Sequence, residues 1–427
     1  MTSRTIHVGA LTRVEGEGAL HVELRDGVAE RVELNIYEPP RFFEAFLRGR
    51  AHTEPPDLTA RICGICPVAY QTSACNAIEN ACGVTLDLEL VALRRLLYCG
   101  EWIHSHALHI YLLHAPDFLG EPDIISVAKN HRVEVERGLA LKKAGNRLME
   151  LLGGRSIHPI NVRLGGFYAV PSRADLGAMA EPLRAALDDA LATVEWVAGF
   201  EFPDLTVDHE FLALTSDRYA LEDGTIARSA GPAFPIAEFS DHVVETQVAH
   251  STALHATLDG GAHLTGPLAR YSLNHHLLSP TAREAATAAG LGAQCRNPFR
   301  SIVVRAVEVV YAVEEALRII EEYRPPARPF VDVPARPGVG HGGSEAPRGL
   351  LYHRYQIDDD GLVQAATIVP PTSQNQAAIE DDLARVVTAG VGLADSALTA
   401  MCERAIRNYD PCISCATHFL RLTVQRW

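Results

Sequence analysis

Near the N-terminus apolar and polar residues alternate. The run Ala19-Leu20-His21-Val22-Glu23-Leu24 breaks at Asp26-Gly27 and resumes from Val28 to Ile36. A period of two on both sides of an Asp-Gly step predicts a β-hairpin with one buried face. From Cys66 onward the period becomes helical. Pro67 and Thr72 open an apolar-periodic stretch to Ala81, and Gly83 is placed to end it. Leu88 to Leu113 keeps that periodicity over many turns and is expected to stop at Pro116. Asp175 to Val197 and Ile302 to Tyr323 predict two more long helices, the second closed by Pro325-Pro326. The Pro- and Gly-rich stretch Pro325 to Gly343 reads as loop, and Ala378 to Asn408 as helix with a break at Gly390 and Gly392. The pattern predicts a mainly α protein with a small N-terminal β element (α+β), β-rich over residues 1–40 and mostly helical over 60–418.

Composition narrows the function more than the fold. The 427 residues exceed the roughly 250–300 at which a single core usually stops growing. A net charge of −15 argues against nucleic acid or an anionic membrane surface as partner. No apolar run approaches the roughly 18 residues that span a bilayer, and the N-terminus lacks an apolar signal core. The nine cysteines are an odd set for a secreted disulfide framework. Cys75, Cys82, Cys99, Cys295 and Cys402 lie in helix-like or apolar surroundings and read as reduced core residues.

The other four cysteines form two Cys-x-x-Cys pairs, in Arg61-Ile62-Cys63-Gly64-Ile65-Cys66-Pro67 and Asp410-Pro411-Cys412-Ile413-Ser414-Cys415-Ala416-Thr417-His418. Each pair lets two sulfurs face one ion, and four thiolates favour nickel, iron, zinc or copper over magnesium or calcium. Zinc ribbons separate their clips by roughly 15–20 residues. Here corresponding cysteines stand 349 positions apart, so a metal would close almost the whole fold. That spacing suits a buried reactive centre better than a small structural module.

These two segments resemble the paired motifs of the large, catalytic subunit of nickel–iron hydrogenases. Further segments match in order: Thr12-Arg13-Val14-Glu15-Gly16, Arg41-Phe42-Phe43-Glu44, His104 to Asp117, Gly153 to Gly166, Ser344 to Gly349 and Ile368 to Asn375. The length and the variant Cys66-Pro67-Val68-Ala69-Tyr70-Gln71 look most like the cytoplasmic, NAD(P)-linked bidirectional, sulfhydrogenase-type branch. The resemblance implies that family's large-subunit fold in one catalytic domain, 1–418, and reversible heterolytic cleavage of dihydrogen. Cys63 and Cys412 would bind nickel terminally, and Cys66 and Cys415 would bridge it to an iron carrying one carbonyl and two cyanides.

Other residues take implied roles from the same match. Glu15 would relay protons from Cys412 or from Arg348; by itself it would read as a surface hairpin carboxylate. Arg348 would lie over the open metal position, held by Asp117 and Asp410, and with Pro347 and Thr372 would surround the iron's diatomic ligands. Without the match Arg348 is a loop arginine and Thr372 a helix N-cap. Glu44, His418 and the Ile368 carbonyl would bind Mg2+, although His418 alone would suggest nickel or zinc. His109 and His114 would support the centre from outside it, whereas His104 and His106 read as polar packing. His158 is expected to be structural and His275-His276 to lie at the surface. The implied partners are an iron–sulfur small subunit, diaphorase-type subunits binding NAD(P) and flavin, and the maturation protease and nickel-insertion proteins.

Two departures stand out. Tyr70 occupies a position where the family often has His, and a phenol with a pKa of about 10 does not shuttle protons near neutrality. Residues 419–427 extend past His418, where the family removes an extension after nickel insertion. Competing readings are a dihydrogen sensor with the same centre and a structural four-cysteine zinc protein. The cysteines themselves exclude the cysteine-less quinone-side relative in respiratory complex I.

Overall fold

A computed structural model describes residues 3–418; the extension at 419–427, and with it the expected cleavage, lies outside the described residues. The predicted hairpin forms from Gly18–Arg25 and Val28–Ile36, with Arg25 paired to Val28 across the Asp26-Gly27 turn. Asp26 and Gly27 both take positive φ, 49° and 84°, which matches the twist of a two-residue hairpin. Leu20, Val22, Leu24, Leu34 and Ile36 are buried, as the alternation requires. A strand the pattern did not reveal, Ser3–Val8, pairs antiparallel with Gly18–Arg25 and makes the sheet three-stranded. This sheet packs on the Pro371–Ala389 helix.

Four long helices, Leu88–Ala107, Arg132–Gly153, Ala180–Ala198 and Ser301–Glu322, pack on one another and hold the main core. Ser301–Glu322 is apolar nearly all round and central. Its buried Glu308 pairs with Arg270 at 2.8 Å and His106 at 2.9 Å, so that charge is not left alone. Leu88–Ala107 and Arg132–Gly153 meet so closely that a Cβ on Gly145 would stand 2.7 Å from the Gly100 carbonyl.

Two boundaries differ from the sequence reading. The chain does not stop at Pro116. A π-helical stretch, Leu108–His114, leads into Ala115–Leu119, where Pro116 occupies the first turn and its missing N–H costs little. Residues 338–343 are not loop but part of Gly338–Ala346, the first strand of an antiparallel meander with Gly349–Ile357 and Val363–Val369. Its glycines serve close approach rather than turning, since a Cβ on Gly340 would stand 1.9 Å from the Ala77 carbonyl of the Pro67–Cys82 helix. Strand content therefore extends well beyond the N-terminus. The long C-terminal helix divides as expected, into Pro371–Ala389 and Asp395–Arg407. Among the described residues no helix is long and apolar enough to cross a membrane.

Candidate metal centre

Both cysteine pairs lie at turns that enter helices. Cys66 is the residue before the Pro67–Cys82 helix, with Pro67 in its first turn, and Cys412 precedes the short helix Ile413–Ala416. The fold brings the pairs together: Cys63 Sγ lies 3.4 Å from Cys412 Sγ, and Cys66 Sγ lies 3.5 Å from Cys415 Sγ. Cys412 and Cys415 sulfurs are 2.7 Å apart. All four are buried, none is in a disulfide, and together they form a group able to hold a metal ion. The Cys63 thiol is pushed well down by its sulfur neighbours, Cys412 first, whereas burial pushes Cys412 well up. A soft cation accepting several thiolates at once resolves that conflict, so the donor set fits nickel with iron.

The N-terminal segment reaches the second pair through Gly16. Its φ of 93° favours glycine, and a Cβ there would meet the Ile413 Cβ at 2.5 Å. This approach lets Ile413 N donate to the Glu15 carbonyl at 3.0 Å, while Glu15 Oε2 accepts from Ser414 N at 3.0 Å and from the Cys412 thiol at 3.2 Å. Burial, then the Cys63 charge, raises the Glu15 carboxyl above its ordinary range.

Arg348 lies at the Pro347-Arg348 turn between the first two meander strands and is 1% exposed. Its Nε donates to the Asp410 carbonyl at 3.0 Å and its Nη2 to Asp410 Oδ1 at 3.2 Å, while Nη1 is buried without a partner among the described residues. Asp410 has a φ of 51°, which wraps its own main chain and side chain around the guanidinium. Asp117 does not hold Arg348. It accepts instead from Arg13 Nη2 at 2.5 Å and Arg407 Nη1 at 2.7 Å, because the π-helical stretch delivers it to the N-terminal segment beside Arg13. The Pro347 carbonyl accepts from Arg270 Nη2 at 2.9 Å. Thr372 is not an N-cap, since Pro370 takes that place; its Oγ1 accepts from Cys412 N at 2.9 Å and its own hydroxyl proton remains to be donated.

Glu44, Ile368 and His418 also converge. Ile368 N donates to Glu44 Oε1 at 2.7 Å, and His418 lies 3.9 Å from Glu44. His418 faces carbonyl oxygens with both ring nitrogens, Cys415 O at 2.6 Å and Ile368 O at 2.7 Å. Burial keeps this ring neutral, and a neutral imidazole donates from one nitrogen only. A cation between Nε2 and the Ile368 carbonyl would satisfy both lone pairs, so the residues fit a metal there. Burial raises the Glu44 carboxyl to about 7, a cost that a cation would offset.

Two roles escape the sequence. Arg41 Nη2 donates to the Ile62 carbonyl at 2.6 Å and also to the Ser414 carbonyl, tying the two cysteine turns together. Glu101, fully buried, accepts from Val68 N at 2.7 Å and Ala69 N at 3.1 Å and caps the helix after the first pair. A lone acidic residue in the apolar run Tyr98 to Ile103 was its only sign. Tyr70 is buried beside the cluster with no hydrogen-bond partner for its hydroxyl, and burial, then Cys415, pushes its pKa well up. His106 pairs with Glu308 and His109 Nε2 faces the Arg407 carbonyl at 2.8 Å, so the histidines of this stretch gather no metal site among the described residues. His158 Nδ1 faces the Ala60 carbonyl at 2.7 Å, in keeping with a structural role.

Comparison with known proteins agrees with this geometry. A family model described as nickel-dependent hydrogenase matches residues 41–137 and 266–418. Sulfhydrogenase 1 subunit alpha of Pyrococcus furiosus is 34% identical over 422 residues, 98% of each chain. Sulfhydrogenase 2 subunit alpha of the same organism is 34% identical over 98% of this chain and 100% of its own. The crystal structure of an NAD+-reducing [NiFe]-hydrogenase in the H2-reduced state superposes with a TM-score of 0.89 at 26% identity, covering 97% of this chain and 99% of that one.

Proposed function

The chain belongs to the nickel-dependent hydrogenase family, as a large catalytic subunit, and from that premise we propose that it cleaves dihydrogen heterolytically and reversibly into protons and electrons. Supporting this reading is one juxtaposition: four buried sulfurs, a carboxylate 3.2 Å from one of them, and a buried guanidinium with a free nitrogen. When bound, a nickel–iron centre with one carbonyl and two cyanides on iron supplies the Lewis acidity and the capacity to accept electrons. Cys63 and Cys412 would hold nickel, and Cys66 and Cys415 would hold nickel and iron. Cys412 Sγ passes a proton to Glu15, whose raised pKa suits it to accept and then release that proton. Arg348, fixed by Asp410, has Nη1 left to donate, and with Thr372 it would hydrogen-bond the diatomic ligands of the iron when the centre is bound. Asp117 acts at one remove, positioning Arg13 and hence the Glu15 segment.

Glu44, His418 and the Ile368 carbonyl would hold Mg2+, which would fasten the His418 segment beside Cys415. Electrons need a further carrier. Among the described residues the remaining cysteines form no second cluster, so the reading includes an iron–sulfur small subunit and, beyond it, diaphorase-type subunits with flavin and NAD(P), in the cytoplasm. Assembly would use nickel-insertion proteins and a maturation protease. Infrared spectra and metal analysis of the purified complex test the centre. The reading predicts bands of metal-bound carbonyl and cyanide, one nickel per large chain, and iron in excess of nickel because of the small subunit's clusters. Zinc with no such bands would refute it.

A further inference from the structure

A second cluster of metal-binding side chains lies away from the cysteines, where the hairpin of Val243–Thr246 and His255–Leu258 meets the N-terminal sheet and the Pro371–Ala389 helix. A ring nitrogen of His250, one of His255 and a carboxylate oxygen of Glu380 all stand within 4.8 Å of one another. The loop that carries His250 is anchored to the sheet by Thr252, whose N–H donates to the Ile36 carbonyl at 2.8 Å. Glu380 is fixed from the other side, because its Oε1 accepts from Leu34 N at 2.8 Å. Three separate elements thus aim ligands at one point.

An ordinary salt bridge explains only part of this. A protonated His250 would satisfy Glu380, 2.8 Å from its Nε2, and Glu33, 3.7 Å from its Nδ1. It would do nothing for His255, which is 6% exposed and whose Nε2 is buried without a hydrogen-bond partner among the described residues. The two rings meet edge to face with centroids 5.4 Å apart, so neither nitrogen set pairs with the other ring. Burial, then His250, holds His255 down to about 4; it is neutral and able to ligate at physiological pH. Burial raises the Glu380 carboxyl and the Glu33 charge adds to that, strain that a cation would relieve.

We infer that His250, His255 and Glu380 form a further metal site for a borderline divalent ion, zinc above all, that fastens the hairpin loop to the N-terminal sheet and the Pro371–Ala389 helix. Two imidazoles and a carboxylate suit zinc rather than magnesium or calcium, and leave a fourth position for water. Glu33 would orient His250 through the nitrogen that does not bind metal. Zinc–nitrogen bonds of about 2.0–2.1 Å place ligand atoms roughly 3.4 Å apart. Small side-chain rotations reach that spacing from the present one.

The test is a titration of the purified, nickel-loaded complex with Zn2+ and, separately, Co2+. One additional zinc per large chain is expected. His255→Gln and Glu380→Gln should each weaken it by about tenfold or more while leaving nickel content and dihydrogen exchange unchanged. Bound Co2+ should show the visible bands of a four-coordinate nitrogen–oxygen site without thiolate-to-cobalt charge transfer. No additional zinc, unchanged binding in both variants, or a thiolate charge-transfer band would each overturn the assignment. If a variant fails to fold, the cobalt spectrum of the unmodified complex decides alone.

Discussion

Arg348 is held by two of its guanidinium nitrogens and keeps the third free, and that asymmetry has a measurable consequence. Lysine cannot both pair with Asp410 and extend a second donor, because an ammonium lacks the planar fork. Arg348→Lys should therefore lower dihydrogen oxidation by about a hundred- to thousandfold while nickel and iron content stays intact; loss of metal with activity would point to a structural role instead. Part of the acid stability is set elsewhere, at Glu315. Burial pushes its carboxyl up, but hydrogen bonds from Arg318 and the charge and hydrogen bond of Arg95 prevail and hold it down at about 2. An unfolded Glu titrates near about 4.3. The stabilisation is thus present above that pH and lost as pH falls toward 2. Melting temperature should fall across that window, and Glu315→Gln should flatten the fall. The sequence displays thiols and carboxylates by type, so the four cysteines, Glu15 and Arg348 were legible once matched to the family. Arg41 was matched too, yet its work, donating to the main-chain carbonyls of Ile62 and Ser414, leaves no mark on side-chain identity.

At the scale of elements, glycines decide what can touch what. Gly340 lies against the Pro67–Cys82 helix, and Gly340→Ala would force the strand and helix apart. A loss of about 2–3 kcal/mol is expected, read as a shift of the denaturant midpoint. Gly16→Ala acts on the other pair, straining a φ of 93° and driving a methyl into Ile413. It should move Glu15 off Cys412 and depress proton exchange more than metal content. The same glycines explain why residues 338–343 read as loop: composition reports permissiveness and does not separate a turn from a close approach. The hairpin at Asp26-Gly27 and the break after Ala389 were legible because there the local pattern and the tertiary need agree. The Arg132–Gly153 helix went unpredicted, and Pro116 stopped nothing, since π-helical winding before it places the ring in a new first turn.

For the whole molecule, the 349 positions between paired cysteines mean that bound metals would join the turn entering the Pro67–Cys82 helix to the turn entering Ile413–Ala416. Metal binding is then partly folding free energy, because an unfolded chain cannot present all four sulfurs together. The metal-free chain should melt at lower temperature and be cleaved by protease first near residues 410–418, where only hydrogen bonds such as those of Arg41, Glu15, Thr372 and Arg348 would then hold the turn. Equal protease resistance with and without metal would show that the protein contacts suffice. The central claim is that these sulfurs and Glu15 split dihydrogen and move its proton, and exchange of D2 with solvent protons tests it without any electron acceptor. The purified nickel-loaded complex should form HD and H2 from D2, and Glu15→Gln should abolish that exchange with the metals retained. Absence of exchange in the nickel-loaded native complex, or full exchange in Glu15→Gln, would contradict the account.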